Sequence, residues 1–320
     1  YVFVKINAED AGKTLTFTSE TASSYSGIFY NIYQGSQMAI WTHYFMIYGS
    51  EMVVALIVLI LSAIVIIASI FLQHVYKRNI DLAYLGWGVA FAGIWIITNS
   101  VFRQLIFPNM SVVNDMAFYM VMLLPIPFLF YINSIQKGRY RIACNLLELA
   151  AIIDFAVCTI LHITRVVDFA ESITFMALIC MLTIFTLFVT LIIDLFRGYA
   201  KEYRLVSWGM VAAFLSAIIQ IIAYFQRTKT YSGVILAVGL ILLIIFATCS
   251  TIVDLIHAER EKQNALMANK SKGEFLARMS HEIRTPINTV LGLDTMILRE
   301  TKNEQIRKYA FNIQSAGQTL

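Results

Sequence analysis

The chain has 320 residues, of which 59% are apolar and 14% are charged. Because a soluble protein carries about a quarter charged residues, this composition excludes an ordinary soluble domain. The net charge of +4 is modest. The sequence has no dense Lys/Arg patch with interleaved aromatic residues, so it does not indicate a nucleic-acid-binding surface. The apolar residues form runs near the ~20 residues that cross a bilayer. The chain is therefore an integral membrane protein.

The first 50 residues have a different character from the rest. Residues 2–6, 14–18 and 27–32 alternate as strands do, with Gly, Ser, Asn and Asp between them. Fifty residues are too few for a complete sandwich, so we predict that residues 1–50 are the end of an extracellular β-domain. Since the chain starts at Tyr1 without a signal-peptide pattern, we expect it to begin inside a longer protein.

Seven apolar runs follow, each long enough or nearly long enough to span a membrane. They cover residues 52–72, 82–98, 116–135, 142–161, 173–195, 205–225 and 233–255. We therefore predict a seven-transmembrane domain over residues 51–256. Pro125 and Pro127 lie inside the third run, where we expect a kink.

The short loops between the runs predict the orientation. Those after runs one, three and five hold eight cations, and those after runs two, four and six hold four. The eight are Lys77, Arg78, Lys137, Arg139, Arg141, Arg197, Lys201 and Arg204; the four are Arg103, Arg165, Arg227 and Lys229. The positive-inside rule then places the N-terminus outside the cell and the C-terminus in the cytoplasm.

Beyond residue 255 the pattern changes to that of cytoplasmic helices. Residues 257–272 are polar and rich in helix formers, and we interpret them as a signalling-helix linker. An apolar seam then recurs in heptad steps, is interrupted by the charged residues 299–304, and resumes. The first part contains Leu276, Met279, Ile283, Pro286, Val290, Leu293 and Ile297, and the second Ile306, Tyr309, Ile313, Ala316 and Leu320. This predicts a helical hairpin over residues 273–320, and two copies would form a dimeric four-helix bundle.

The hairpin contains a motif, Phe275-Leu-Ala-Arg-Met-Ser-His281-Glu-Ile-Arg-Thr-Pro286-Ile-Asn288. It closely resembles the H-box of the histidine kinase dimerisation and phosphoacceptor domain. Independently, with Leu276 at position a, His281 falls at f, which points furthest from the seam and is open to an incoming ATP domain. An HExxH zinc site is excluded, because the fourth residue after His281 is Thr285.

The resemblance implies a role for each residue of the site. A neutral imidazole is a nucleophile at physiological pH, and His281 matches the phosphorylated residue of the family. Glu282 matches the carboxylate that orients the imidazole, and Thr285 matches the residue that helps to place the water in phosphatase reactions. Pro286 has no N–H for the carbonyl of Glu282, so we expect the helix to bend there.

The resemblance also implies ATP and Mg²⁺, but the sequence shows no place for them. It has no Walker-type Gly-Lys loop, and it ends before any Asn-bearing box or Gly-rich lid. We therefore predict no cofactor or metal ligands in this chain and assign both to a C-terminal domain beyond it. The final residues still have a helical pattern, so we expect a truncated hairpin. The implied partners are a second copy of the chain and the receiver domain of a response regulator.

The membrane half resembles the seven-transmembrane receptors with diverse intracellular signalling modules. The resemblance depends on the architecture and on Ala11-Gly-Lys-Thr-Leu. It implies an extracellular jelly-roll-like domain, similar to carbohydrate-binding domains, and an unidentified carbohydrate-like ligand at the plasma membrane. The chain would then be a multi-pass receptor kinase that autophosphorylates His281 and passes the phosphate to an aspartate.

Two alternatives remain open: a transporter-like solute sensor and a non-catalytic receptor with a degenerate kinase. A transporter needs polar groups inside the membrane, and the candidates are Glu148, Asp154, Asp194 and Gln220. A retinal-binding opsin is disfavoured, because residues 233–255 contain no lysine for a Schiff base.

Overall fold

The computed structural model describes residues 5–14, 16, 33–77, 80–107, 109–225 and 233–319. These residues form ten α-helices and fall into two compact units, Tyr1–Ile252 and Val253–Leu320. Seven helices are long and apolar enough to cross a membrane, which agrees with the predicted seven spans. The predicted helical fold class is confirmed.

The N-terminal stretch has a single short 3-10 helix, Ala8–Asp10, and its described residues contain no strand. The predicted strand 27–32 and most of the strands 2–6 and 14–18 lie outside the described residues. So do Arg78, Arg227 and Lys229 of the predicted loops. The extracellular β-domain therefore stays a prediction.

The first span belongs to a helix that is much longer than its apolar run. Helix α1 covers Gln37–Tyr76, and the Oγ of Ser36 caps it by accepting from the N–H of Ala39 at 3.3 Å. Its 40 residues extend over about 60 Å, twice the hydrocarbon thickness. The helix therefore begins well before the run predicted from residue 52.

One face of α1 is an uncovered apolar stripe. Ile60, Ile64, Ile67 and Phe71 follow one another in steps of three and four, and their exposed fractions range from 57% to 68%. Such a stripe is unfavourable in water, and lipid is the environment that suits it.

Helix α2, Leu82–Asn99, packs against α1 at glycines. A Cβ on Gly86 would stand 2.6 Å from Cγ1 of Ile66, and one on Gly93 would stand 2.9 Å from Cδ2 of Leu59. Small residues allow helices in membranes to approach closely, because van der Waals contact replaces the hydrophobic effect there. The two spans are therefore in close contact.

The third span is divided at its prolines, as the sequence predicts. Helix α3, Arg103–Ile106, leads into α4, Met110–Leu123, and α5, Pro125–Ile135, follows after Leu124. The proline nitrogens carry no hydrogen, so the helical hydrogen-bond ladder is interrupted there.

The remaining spans are single helices. Helix α6 covers Arg141–Ile163, α7 covers Phe169–Arg197, and α8 covers Arg204–Phe225 after the 3-10 helix Tyr199–Tyr203. Helix α9 runs from Val234 to Glu300 over 67 residues, and α10 covers Glu304–Thr319. The backbone of the seventh span is therefore continuous with the segment that carries His281.

Candidate functional site

The predicted site lies on α9, and its three side chains are exposed. His281, Glu282 and Thr285 have open side chains, so a partner domain has access to the imidazole. His281 and Thr285 are one helical turn apart and share a face. The hydroxyl of Thr285 donates to the backbone carbonyl of His281 at 3.1 Å.

The structure does not bring Glu282 and His281 into contact. Among the described residues, no hydrogen bond or ion pair joins the carboxylate of Glu282 to the imidazole. The two residues are adjacent on the exposed surface of the helix, and their predicted cooperation stays a prediction.

Pro286 lies within the helical backbone of α9. The helix continues on both sides of it, and the predicted bend stays a prediction. The hydroxyl of Thr289 donates to the carbonyl of Thr285 at 3.0 Å. Hydroxyl groups that bond back to the preceding turn often bend helices, which favours the same deformation next to the proline.

A capped turn separates α9 from α10. The hydroxyl of Thr301 accepts from the N–H of Asn303 at 3.3 Å. The side chain of Asn303 in turn accepts from the N–H groups of Gln305, at 2.9 Å, and Ile306. Asn is a favoured N-cap because its oxygen satisfies the free donors of the first turn. The predicted interruption at residues 299–304 is thus a helix end followed by a helix start.

The two helices of the hairpin pack through a face that the heptad pattern did not single out. Asp294 and Ala310 are each 3% exposed. A Cβ on Gly317 would stand 2.8 Å from Cδ2 of Leu291, so the backbone of α10 approaches α9 closely. Within this interface the Oδ2 of Asp294 is buried without a hydrogen-bond partner.

The predicted apolar seam remains on the outside of the hairpin. Six of its members have exposed fractions between 44% and 57%: Leu276, Ile283, Val290, Leu293, Ile297 and Ile306. A contiguous exposed apolar surface of this kind marks an interaction site. The seam is therefore available to another helix pair.

A second polar site surrounds Asp194, which is fully buried near the end of α7. Its Oδ1 accepts from Nη1 of Arg139 at 2.8 Å and from the hydroxyl of Tyr140 at 2.9 Å, and its Oδ2 accepts from the hydroxyl of Tyr203. The guanidinium of Arg139 also lies 3.8 Å above the ring of Tyr199. These contacts join the connection between α5 and α6 to the connection between α7 and α8.

The Asp194 contacts shift the acid–base behaviour of their partners in the α5–α6 connection. Burial and then the hydrogen bond to Asp194 raise the pKa of Tyr140. Burial disfavours the charge of Arg139, but the hydrogen bond and the charge of Asp194 outweigh it and raise the pKa of Arg139. At neutral pH both groups therefore remain protonated donors to Asp194.

The opposite end of α6 has its own polar cluster. Nδ1 of His162 lies 3.1 Å from the carboxylate of Asp168, and its Nε2 lies 3.6 Å from that of Asp115. The imidazole stacks on the ring of Phe169, with 4.0 Å between the centroids. This cluster joins α4, α6 and the start of α7.

The other polar candidates in the spans have local contacts. The Sγ of Cys158 donates to Asp154 at 3.5 Å, one turn away on α6. Gln220 is buried and accepts from the N–H of Gly233 at 3.0 Å. The Oε1 of Glu148 is buried and has no hydrogen-bond partner among the residues that the structure describes. These hydrogen bonds explain why the polar residues Asp154 and Gln220 occur inside the spans.

Comparison with known proteins bears on the site directly. Residues 271–320 match the His Kinase A (phospho-acceptor) domain family, and this range contains the exposed His281, the capped turn and the outward seam. The chain carries a histidine kinase phosphoacceptor domain.

Three curated relatives are similar to a part of this chain. The non-motile and phage-resistance protein of Caulobacter vibrioides is 42% identical over 66 residues, which are 19% of this chain and 8% of that protein. Hybrid signal transduction histidine kinase A of Dictyostelium discoideum is 42% identical over 60 residues, 19% of this chain and 3% of that protein. Autoinducer 2 sensor kinase/phosphatase LuxQ of Vibrio cholerae is 38% identical over 69 residues, 20% of this chain and 8% of that protein.

The match covers a small part of each relative. The chain aligns with no more than 8% of the length of these three proteins, and no solved structure matches it. The comparisons therefore identify the phosphoacceptor domain, and they leave the function of the membrane spans to physical argument.

Sequence reasoning did not anticipate two features of these sites. Arg139 counted only as a loop cation and Tyr203 was not considered, although both bind Asp194. The inner face of the phosphoacceptor hairpin, with Asp294, was also missed. A carboxylate at the end of an apolar run, such as Asp194, indicates that polar partners lie nearby, because a buried charge needs partners.

Proposed function

We propose that this chain is the membrane and phosphoacceptor part of a sensor histidine kinase of a two-component system. The observation that carries the proposal is His281, exposed on α9 inside a segment that matches the phosphoacceptor domain family. The spans would receive the signal, and α9 would carry it, because its backbone is continuous from the seventh span to the histidine.

In the proposed reaction, one imidazole nitrogen of His281 attacks the γ-phosphorus of ATP in line. A nitrogen–phosphorus bond forms, the bond to the β,γ-bridging oxygen breaks, and ADP leaves. Glu282 would hold the proton on the other ring nitrogen and stabilise the positive charge that develops. The phosphoryl group would then pass to an aspartate of a receiver domain, which restores the imidazole.

The residues around His281 do not suit a site for Mg²⁺. The nearest carboxylate in sequence is Glu282 alone, and the described part of the chain has no group of three or more His, Cys, Asp or Glu side chains that could hold a metal ion. We therefore assign ATP and Mg²⁺ to a separate catalytic domain.

Thr285 would act in the phosphatase reaction, in which water removes the phosphoryl group from the phosphorylated receiver. Its hydroxyl now donates to the carbonyl of His281, and rotation about χ1 would turn it towards a water molecule. Because the carbonyl of His281 lies within the helix and its backbone hydrogen bonding does not depend on the hydroxyl, loss of the hydroxyl contact costs little free energy. The residue can therefore serve two states of the domain.

The partner in the proposed bundle is a second copy of the chain. The outward seam of the hairpin is apolar and uncovered within one chain, and heptad seams of this length associate with other helices. A dimer would bring the seams together while His281, at position f, remains accessible.

The orientation belongs to the same proposal. An odd number of spans places the two ends of the domain on opposite sides, and the loop cations favour a cytoplasmic hairpin. Signal binding outside the cell or among the spans would shift the bundle and change the register of the linker 257–272. Disulfide crosslinking of cysteines placed at Ala258 or Ala265 should then depend on the signal, and crosslinking that ignores it would count against a register change.

The proposal is tested by autophosphorylation of the full-length protein in membranes with γ-labelled ATP. The wild type should acquire acid-labile label, and His281→Gln should acquire none. His257→Gln is the matched control, because His257 is an exposed histidine on the same helix and should leave the labelling unchanged. Folded wild type that takes no label with or without candidate signals would favour a degenerate kinase.

A further inference from the structure

One end of the membrane domain carries an unbalanced positive surface. Residues 136–141 and 194–204 contain six cations and two carboxylates, a net charge of +4. Both segments connect spans, and the contacts of Asp194 hold them together. The cations are therefore parts of one surface, which we name the basic collar; it comprises Lys137, Arg139, Arg141, Arg197, Lys201 and Arg204.

Both carboxylates of this surface are already engaged. Asp194 binds Arg139 at 2.8 Å, and Glu202 binds Lys137 at 2.9 Å. The remaining four cations, Arg141, Arg197, Lys201 and Arg204, have exposed side chains and form no ion pair within the part of the chain that the structure describes. These four cations are thus available to an anion from outside the chain.

Exposed apolar side chains stand directly beside these cations. Ile142, next to Arg141, is 80% exposed, and Phe196, next to Arg197, is 87% exposed. In water this combination is unfavourable, since each large apolar side chain remains solvated. At the boundary between hydrocarbon and headgroups it is favourable, because the apolar groups enter the acyl region and the cations reach the phosphates.

Two of the cations occupy positions that the helix dipole disfavours. Arg141 is the first residue of α6 and Arg204 the first residue of α8. The N-terminal end of a helix carries partial positive charge, so cations there are repelled. An anionic group bound at either helix end reduces this repulsion there.

We propose that the basic collar binds the headgroups of anionic phospholipids. Arginine suits this ligand, because its planar guanidinium binds phosphate oxygens in a bidentate manner. A soluble phosphate would satisfy the cations but would leave Ile142 and Phe196 uncovered, and a phospholipid covers both. The proposal does not depend on kinase activity.

The test uses Trp208, which is 61% exposed and lies about one turn after Arg204 on α8. The protein is placed in nanodiscs, and the quenching of tryptophan fluorescence by brominated phosphatidylglycerol is compared with that by brominated phosphatidylcholine. A Trp208→Phe variant identifies the share of the signal that this residue reports. The ratio of the two quenching constants gives the preference for the anionic lipid.

We expect the wild type to prefer phosphatidylglycerol and the triple variant Arg141→Gln/Lys201→Gln/Arg204→Gln to lose the preference, by up to about fivefold per cation. If the triple variant folds poorly, Arg141→Gln alone replaces it in the test and should lose part of the preference. The triple variant Lys302→Gln/Arg307→Gln/Lys308→Gln removes the same charge from the hairpin and should keep the wild-type ratio.

Three results would overturn the proposal. Equal quenching by the two lipids in the wild type would leave an acidic protein surface as the partner of the collar. A preference that survives the collar triple variant would place the lipid contact elsewhere. If soluble glycerol phosphate abolishes the preference, the site takes free phosphates and the commitment to a lipid is wrong.

Discussion

Asp194 illustrates how one side chain can hold two connections of a membrane domain together. It has no exposed surface and accepts from Arg139, Tyr140 and Tyr203. Removing the buried carboxylate leaves the guanidinium of Arg139 with only its longer ion pair to Glu202, at 4.0 Å, and loss of one partner of a buried ion pair costs more than the lost contact itself. The cluster is therefore sensitive to single substitutions and tolerant of paired ones.

We expect Asp194→Asn to destabilise the membrane domain by about 3–5 kcal/mol. The double variant Asp194→Asn/Arg139→Gln should be destabilised by less than the sum of its single variants, because neither charge is left unpaired. Thermal unfolding in detergent micelles measures both. Asp254→Asn, an exposed carboxylate on α9, is the control and should unfold as the wild type does; additive single effects would show that no coupling exists.

At the phosphoacceptor site, the residue to separate kinase from phosphatase chemistry is Thr285. Thr285→Val keeps the shape and removes the hydroxyl, so autophosphorylation of His281 should persist. Dephosphorylation of the receiver should slow on the order of 100-fold, since the water is no longer positioned. Time courses with labelled receiver measure this, and Thr289→Val, which loses a similar back-bond, is the matched control. Equal rates in both variants would remove Thr285 from the phosphatase role.

Among the elements, α9 is unusual because two environments act on one continuous helix. Its first part packs closely: a Cβ on Gly239 would collide with Oγ of Ser216 on α8 and would stand 2.6 Å from its Cβ. Its later part is open, and a Cβ on Gly273 would meet nothing within 4 Å. The same residue type therefore has opposite significance at the two positions.

This contrast predicts opposite effects of one substitution. Gly239→Ala should destabilise the domain by about 1–3 kcal/mol, because the added methyl group overpacks the contact with Ser216. Gly273→Ala should stabilise the helix by up to about 1 kcal/mol, because alanine loses less backbone entropy. Unfolding followed by circular dichroism compares them. Stabilisation by Gly239→Ala would mean that α8 and α9 are further apart than described.

For the whole molecule, the exposed seam predicts the oligomeric state. Ile283 is 53% exposed in one chain and would be buried at the centre of a dimeric bundle. Ile283→Lys removes about 3–6 kcal/mol of burial across the two chains and should weaken the dimer at least roughly 100-fold. Analytical ultracentrifugation in detergent measures the change. Met267→Lys is the control, because Met267 is 66% exposed and lies off the seam, and it should leave the dimer intact. Equal weakening of the dimer by the two variants would exclude the seam as the interface.

The spans and the hairpin were predictable because each depends on a local repeat. A bilayer requires about 20 apolar residues in a row, and a coiled seam requires apolar residues three and four apart. The start of α1 was not predicted, since residues 37–51 are too polar to be counted in a span. The extension becomes visible only in the structure, where Tyr44 is buried and stacks with Tyr48 at 6.0 Å.

Sequence alone determined the membrane class, the seven spans and the two helices of the hairpin, because each follows from neighbours along one helix, whereas the role of His281 stays a prediction. The tertiary structure decided which distant groups meet. Arg139 and Asp194 are 55 residues apart, and Leu291 contacts Gly317 across the turn of the hairpin. Such pairs depend on how helices pack, and no periodicity within a single helix specifies its partner. The basic collar became visible for the same reason, since its cations belong to two separate connections of the chain.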